Sequence, residues 1–99
     1  MTIAGSDSGG GAGIQADLKT FAAFGVYGTS VITALTAQNP YSVNAIQAME
    51  PQLIISQYET VLEDIGTEAA QIGKLFNDEI VDEVETMRKN TNPGNKMLD

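Results

Sequence analysis

Thr2-Ile3-Ala4-Gly5-Ser6-Asp7-Ser8-Gly9-Gly10-Gly11-Ala12-Gly13-Ile14-Gln15-Ala16-Asp17-Leu18 runs from an apolar stretch, through a glycine-rich turn, into a helical pattern. Thr2 to Ala4 predicts a short strand and Gly5 to Gly13 the turn. Ile14, Leu18, Phe21 and Ala22 then recur at spacings of three and four, which places them on one face of a helix. Gly25 ends that helix, because glycine takes the left-handed position after a helix without steric cost. A strand that feeds a helix in this way opens a βαβ unit, the building block of a parallel sheet.

The rest of the chain continues the alternation. Thr29 to Thr36 is rich in β-branched residues and uncharged, which predicts a strand buried on both faces, ended by Asn39-Pro40. Val43 to Met49 predicts a weaker strand, suited to a sheet edge. Pro51 opens a helix with an apolar stripe of Leu53, Ile54, Tyr58, Val61 and Ile65, closed by Gly66. Ala69 to Leu75 predicts a short strand. Asn77 offers a cap for a helix whose inner face is Ile80, Val81, Val84 and Met87, with Arg88 and Lys89 in its last turn. Lys96 to Asp99 predicts another strand. The fold class is therefore α/β, a mostly parallel sheet with flanking helices, read as one domain over residues 1–99. Right-handed crossovers place the glycine turn, Gln38 and Gly73 near the carboxyl ends of neighbouring strands, the edge at which open α/β sheets bind ligands.

Composition narrows the function. The net charge is −8, and Glu50 to Glu85 carries ten acidic residues against the single base Lys74. Such a surface repels nucleic-acid phosphates and anionic lipid, so neither is an expected partner. These acids read best as the solvated faces of helices. No apolar run approaches a membrane span, and the N-terminus has no secretory signal pattern. Cysteine and histidine are absent, which excludes disulfides and thiolate or imidazole metal sites. A cytoplasmic protein is expected.

The glycine turn has competing readings. A phosphate-binding P-loop needs a lysine directly after the last glycine, and Lys19 lies inside the helix instead. Gly11-Ala12-Gly13-Ile14-Gln15-Ala16 fits a dinucleotide fingerprint, but the region about 20 residues on has no acid to hold a ribose. The glycines could simply permit a tight turn and close packing. Four glycines in five positions, beside Ser6, Asp7 and Ser8, favour a turn whose outward backbone amides meet a ligand.

From Thr2 to Phe21, and again over Gly25-Val26-Tyr27-Gly28-Thr29-Ser30-Val31-Ile32-Thr33-Ala34-Leu35-Thr36-Ala37-Gln38-Asn39, the chain closely resembles the opening of hydroxymethylpyrimidine/phosphomethylpyrimidine kinases of thiamine biosynthesis. The resemblance continues more loosely to Asp99. It implies a partial ribokinase-like fold and transfer of a phosphoryl group from ATP with Mg2+ to hydroxymethylpyrimidine or its monophosphate. Within the family pattern Gln38 pairs with the aminopyrimidine edge, which suits a carboxamide, whose donor and acceptor lie side by side. Gly5, Ala12 and Asp17 match positions around the pyrimidine pocket. Pyridoxal kinases share the fold and the glycine loop, and Ala37-Gln38-Asn39 favours the pyrimidine enzymes over them.

Two departures bear on activity. Gln71-Ile72-Gly73-Lys74-Leu75 carries Lys74 where the family has a methionine that walls the pocket, and an ammonium group there is costly to desolvate. The chain also ends well short of the family length, before the anion hole, the catalytic base and the nucleotide-binding region. The resemblance therefore implies the N-terminal, substrate-side portion of a kinase domain, with no catalytic residue among these positions and no activity expected in isolation. The alternatives are a pyrimidine-binding or regulatory module without kinase activity, a piece of a pyridoxal kinase relative, or a dinucleotide-binding fragment. An open, apolar sheet edge is expected to favour self-association or a complementing chain.

Overall fold

The computed structural model describes residues 1–64, 69–73, 78–89 and 96–98. Its elements are β1 (Thr2–Asp7), α1 (Gly13–Ala23), β2 (Ser30–Asn39), β3 (Ser42–Ala48), α2 (Pro51–Asp64), β4 (Ala69–Ile72), α3 (Asp78–Lys89) and β5 (Lys96–Leu98). This is the order expected from the sequence. The strands form a five-stranded sheet in the order β3-β2-β1-β4-β5. β1 pairs in parallel with β2 and β4, β4 pairs in parallel with β5, and β3 returns antiparallel along β2. The edge position expected for β3 is observed.

Alternation along β1 separates two layers. Ile3 is paired in register with Val31, and both pack with Ile54 and Tyr58 of α2 and Ile80, Val84 and Met87 of α3. Thr2 points to the opposite side, where its hydroxyl donates to Asp17 of α1. Helix α1 therefore covers one face of the sheet, and α2 and α3 cover the other. Ile3, Val31, Ile54, Ile80 and Val84 are at most 1% exposed, and each stabilises the fold by about 1.5–3 kcal/mol through its burial.

Each helix faces the sheet with residues at positions i, i+4 and i+7, and in α2 Ile55 and Leu62 pack against the core beside them. In α1 these positions are Ile14, Leu18 and Phe21, in α2 Ile54, Tyr58 and Val61, and in α3 Ile80, Val84 and Met87. Of the stripes read from the sequence, Ala22, Leu53 and Val81 lie at the margins and are exposed. Glu59, Glu63, Glu79, Asp82 and Glu85 are exposed, as expected of solvated helix faces. Helix α1 closes on Gly25, at φ +71°, with Val26 N–H donating to Phe21 O (2.8 Å) and Gly25 N–H to Ala22 O (3.0 Å). That pair of bonds is the Schellman arrangement, with Gly25 at the helix stop expected for it.

β2 departs from expectation. It runs on through Gln38 to Asn39, and only Val31, Thr33 and Ala34 are buried, while Leu35 is 48% exposed. Leu35 and Thr36 still pair with Ser6 and Asp7 of β1, and beyond Thr36 the strand continues with β3 alone as a projecting hairpin. At its tip Asn39 Oδ1 accepts from the backbone N–H of Tyr41 (2.9 Å) and of Ser42 (3.0 Å), so Asn39-Pro40 turns the chain back rather than merely ending the strand. Where β3 does not reach, the Gln57 carboxamide of α2 substitutes for a strand, accepting from Ile32 N–H (2.8 Å) and donating to Ile32 O (2.9 Å). β1 is longer than expected, extending to Asp7, and β4 ends at Ile72. The expectations for Ile65, Gly66, Lys74, Leu75, Asn77 and Asp99 lie outside the described residues. Among the described residues, no helix is long and apolar enough to cross a membrane.

Thr33 is fully buried, and its hydroxyl has no hydrogen-bond partner among the described residues. A buried unpaired polar group costs about 1–3 kcal/mol, and valine has nearly the same shape. Thr33→Val is expected to raise the melting temperature by several degrees, equivalent to about 1 kcal/mol. A lowered melting temperature would show that the hydroxyl is satisfied.

Candidate functional site

A cleft of about 330 Å³ opens at the carboxyl ends of β1, β2 and β4. Gly5, Ser6 and Asp7 come to it from β1, Ala12, Gly13 and Asp17 from the turn and α1, and Thr36 and Gln38 from β2. Val43 and Ile46 of β3 form an apolar wall, and Gln71 and Gly73 close the side of β4. The four residues singled out from the sequence, Gly5, Ala12, Asp17 and Gln38, thus meet in one cavity, together with Gly73. Thr36, Val43, Ile46 and Gln71 carried no functional signal in the sequence. Their place in the cleft follows from the hairpin folding over it and from β4 pairing with β1.

The turn itself is built differently from the sequence-based expectation. Asp7 is 6% exposed and its carboxylate faces inward. Oδ1 accepts from Gly9 N–H (2.8 Å), and Oδ2 accepts from Gly11 N–H (3.0 Å) and Ala12 N–H (2.8 Å). These three amides therefore do not face outward to a ligand. A pyrophosphate could reach them only by displacing a carboxylate, which removes the physical basis of the dinucleotide reading. Asp7 N–H in turn donates to Gln15 Oε1 (2.8 Å), and Gln15 Nε2 donates to Ser6 Oγ (2.7 Å), which ties the start of α1 to the end of β1.

Two glycines are required by close approach. A Cβ on Gly13 would lie 2.3 Å from Gly5 O, and Gly13 has φ +59°. A Cβ on Gly9 would lie 2.9 Å from Gln38 O. The turn therefore presses against the end of β2, and Ser8 fastens it there: its Oγ donates to Gln38 O (2.8 Å) and accepts from Gln38 N–H (2.7 Å). The glycine turn acts mainly as a clamp that sets the height of Gln38 over the cleft. Asp17 is half-buried, and its Oδ2 accepts from the Thr2 hydroxyl. It sits in the second turn of α1, past the strongest part of the helix dipole, so Thr2 is its main local support.

The cleft sets carboxamides, hydroxyls and two carboxylates beside an apolar wall, which suits a small, flat ligand with a polar edge. Lys19 sits outside the turn, where its Nζ donates to Gly10 O (3.1 Å). Among the described residues, no three Asp, Glu, His or Cys side chains gather in a way that could hold a metal ion.

Comparison with known proteins follows the same lines. Residues 7–99 match the model of the phosphomethylpyrimidine kinase family. The hydroxymethylpyrimidine/phosphomethylpyrimidine kinase of Salmonella typhimurium is 46% identical over 99 residues, covering 100% of this chain and 37% of that protein. The crystal structure of phosphomethylpyrimidine kinase from Clostridium difficile 630 superposes with a TM-score of 0.92 at 52% identity, over 99% of this chain and 42% of that one. The pyridoxal kinase of Staphylococcus aureus in complex with pyridoxal gives a TM-score of 0.82 at 33% identity, over 99% of this chain and 37% of that one. The chain thus spans little more than a third of the length of these relatives.

Proposed function

The chain belongs to the phosphomethylpyrimidine kinase family, and we propose that residues 1–99 form the N-terminal, pyrimidine-binding portion of such a kinase domain. The whole protein would transfer a phosphoryl group from ATP with Mg2+ to hydroxymethylpyrimidine or its monophosphate, as a cytoplasmic step of thiamine biosynthesis. The observation that carries this reading is the convergence of Gly5, Ala12, Asp17 and Gln38 on one cleft beside an apolar wall. Gln38 reads the aminopyrimidine edge, while Gly5 and Ala12 leave room for the ring. The described residues do not fit a MgATP site: they assemble no carboxylate cluster, and the turn amides are held by Asp7. No transfer step is therefore assigned to them, and the chain in isolation is expected to turn over no substrate.

Calorimetric titration with hydroxymethylpyrimidine tests the reading. Gln38→Ala leaves the ligand's polar edge unpaired and is expected to weaken binding about 10- to 100-fold. Equal binding by the two proteins would remove Gln38 as the reader. The likeness to pyridoxal kinase supports a second reading, and a parallel titration with pyridoxal separates the two: tighter binding of pyridoxal would favour it. The exposed apolar residues of the hairpin, Leu35, Val43 and Ile46, support self-association or a complementing chain, which sedimentation of the purified chain would reveal.

A further inference from the structure

Thr36 Oγ1 lies 2.8 Å from the carbonyl oxygen of Ser6 and 3.1 Å from the Oε1 position of the Gln38 carboxamide. A hydroxyl carries one proton and a backbone carbonyl can only accept. The proton therefore lies on the shorter contact, to Ser6, and Thr36 turns a lone pair toward Gln38. A carboxamide oxygen facing that lone pair would be repelled, whereas an N–H would be held. The two ends of a carboxamide have almost the same outline, so hydrogen-bond chemistry decides between them. The backbone from which the side chain springs is held, because Ser8 grips both backbone groups of Gln38 at 2.8 and 2.7 Å. The side-chain torsions of Gln38 remain free of that grip, and Thr36, stiff at χ1 as a β-branched residue, holds the carboxamide at their end.

We infer that Thr36 locks the Gln38 carboxamide with Nε2 toward its hydroxyl, and so sets the donor–acceptor order that Gln38 presents to a ligand. One Nε2 hydrogen is committed to Thr36. Oε1 and the other Nε2 hydrogen make up the free edge, which takes an exocyclic amino group beside a ring nitrogen. In the 4-oxo counterpart of an aminopyrimidine, donor and acceptor change places. With the ring held against Val43 and Ile46, a locked carboxamide meets that ligand donor to donor and acceptor to acceptor, a mismatch that costs far more than a lost contact. A carboxamide free to turn over could pair with either. Thr36 is thus a positioning residue that determines specificity, and this rests on the reading of Gln38 given above.

The test is the ratio of dissociation constants for hydroxymethylpyrimidine and its 4-oxo analogue. The wild-type protein is expected to favour the amino form by about 100-fold. Thr36→Val should bring the two affinities within about 10-fold of each other, and Thr36→Ser, which keeps the hydroxyl, should retain the preference. A wild-type ratio in Thr36→Val overturns the lock even where Gln38→Ala has lost binding. Wild-type binding by Gln38→Ala overturns the reading of Gln38 and the lock with it. Should Thr36→Val fail to fold, the unliganded wild-type protein still decides the matter: a nuclear Overhauser contact between a Gln38 Nε2 hydrogen and the Thr36 methyl is expected, and its absence overturns the inference.

Discussion

Gly13→Ala is expected to lower stability by about 3–5 kcal/mol, enough to leave much of the purified chain unfolded near 37 °C. Two separate effects combine at this position. Gly13 has φ +59°, a conformation that costs an alanine about 1–2 kcal/mol. Its new Cβ would also lie 2.3 Å from Gly5 O, 3.2 Å from Gly5 C and 3.2 Å from Asp7 N, which are backbone atoms of a buried strand and cannot swing aside. Gly25 supplies the control. It has φ +71° with nothing within 4 Å of a built Cβ, so Gly25→Ala isolates the backbone term and is expected to cost only about 1 kcal/mol. Thermal melts of both variants check this, with roughly 4–8 °C expected per kcal/mol in a chain of this size. Equal losses in the two variants would show that the turn yields to the clash, and that its tight seat against β1 is not what holds α1 in place.

The contrast between these two glycines also shows what the sequence makes legible. Gly25 follows the periodic run Ile14, Leu18 and Phe21, so its role as a helix stop can be read from the pattern around it. The requirement at Gly13 comes from Gly5, and no periodicity announces that the strand's own carbonyl will lie underneath. The helix faces were visible for the same local reason, but the exposure of Ala22, Leu53 and Val81 at their margins was not, because it depends on how each helix is set on the sheet. β2 makes the point at larger scale. Its uncharged run continues past Ala34 without a break signal, yet the first half is buried and the second half is largely exposed. Which half is covered depends on where α2 and β3 come to rest. Gln38 was singled out through resemblance to a family, since a glutamine at a strand end has no distinctive pattern of its own. Thr36 beside it gave no signal, because its relation to Ser6 exists only once β1 and β2 are paired.

The glycine turn is where sequence context misled most, and replacement of Asp7 is the other large expected effect. Glycines beside small polar residues read as a turn whose amides face a ligand, whereas Asp7 points into the turn and gathers the amides of Gly9, Gly11 and Ala12. Short acidic side chains favour such local bonds to the backbone just ahead of them. Bonds from neutral amides to a carboxylate contribute about 1.5–3 kcal/mol each when sheltered, but Gly9, Gly11 and Ala12 are exposed, and water can replace part of what is lost. Asp7→Ala is therefore expected to cost about 2–4 kcal/mol in total. Asp7→Asn should fall between, because its amide nitrogen must oppose an N–H on one side while its oxygen still serves the other. Asp7→Glu is not expected to rescue, since the extra methylene carries the carboxylate past the amides. The consequence should reach beyond stability. Gly9 packs on Gln38 O and Ser8 grips the Gln38 backbone, so a loosened turn releases the group proposed to read the ligand. Calorimetry with hydroxymethylpyrimidine at a temperature where Asp7→Ala remains folded should show binding weakened at least 10-fold, although Asp7 need not touch the ligand. Unchanged affinity in a measurably destabilised variant would mean that Gln38 holds its position without the turn, and that the turn supports the fold but not the site.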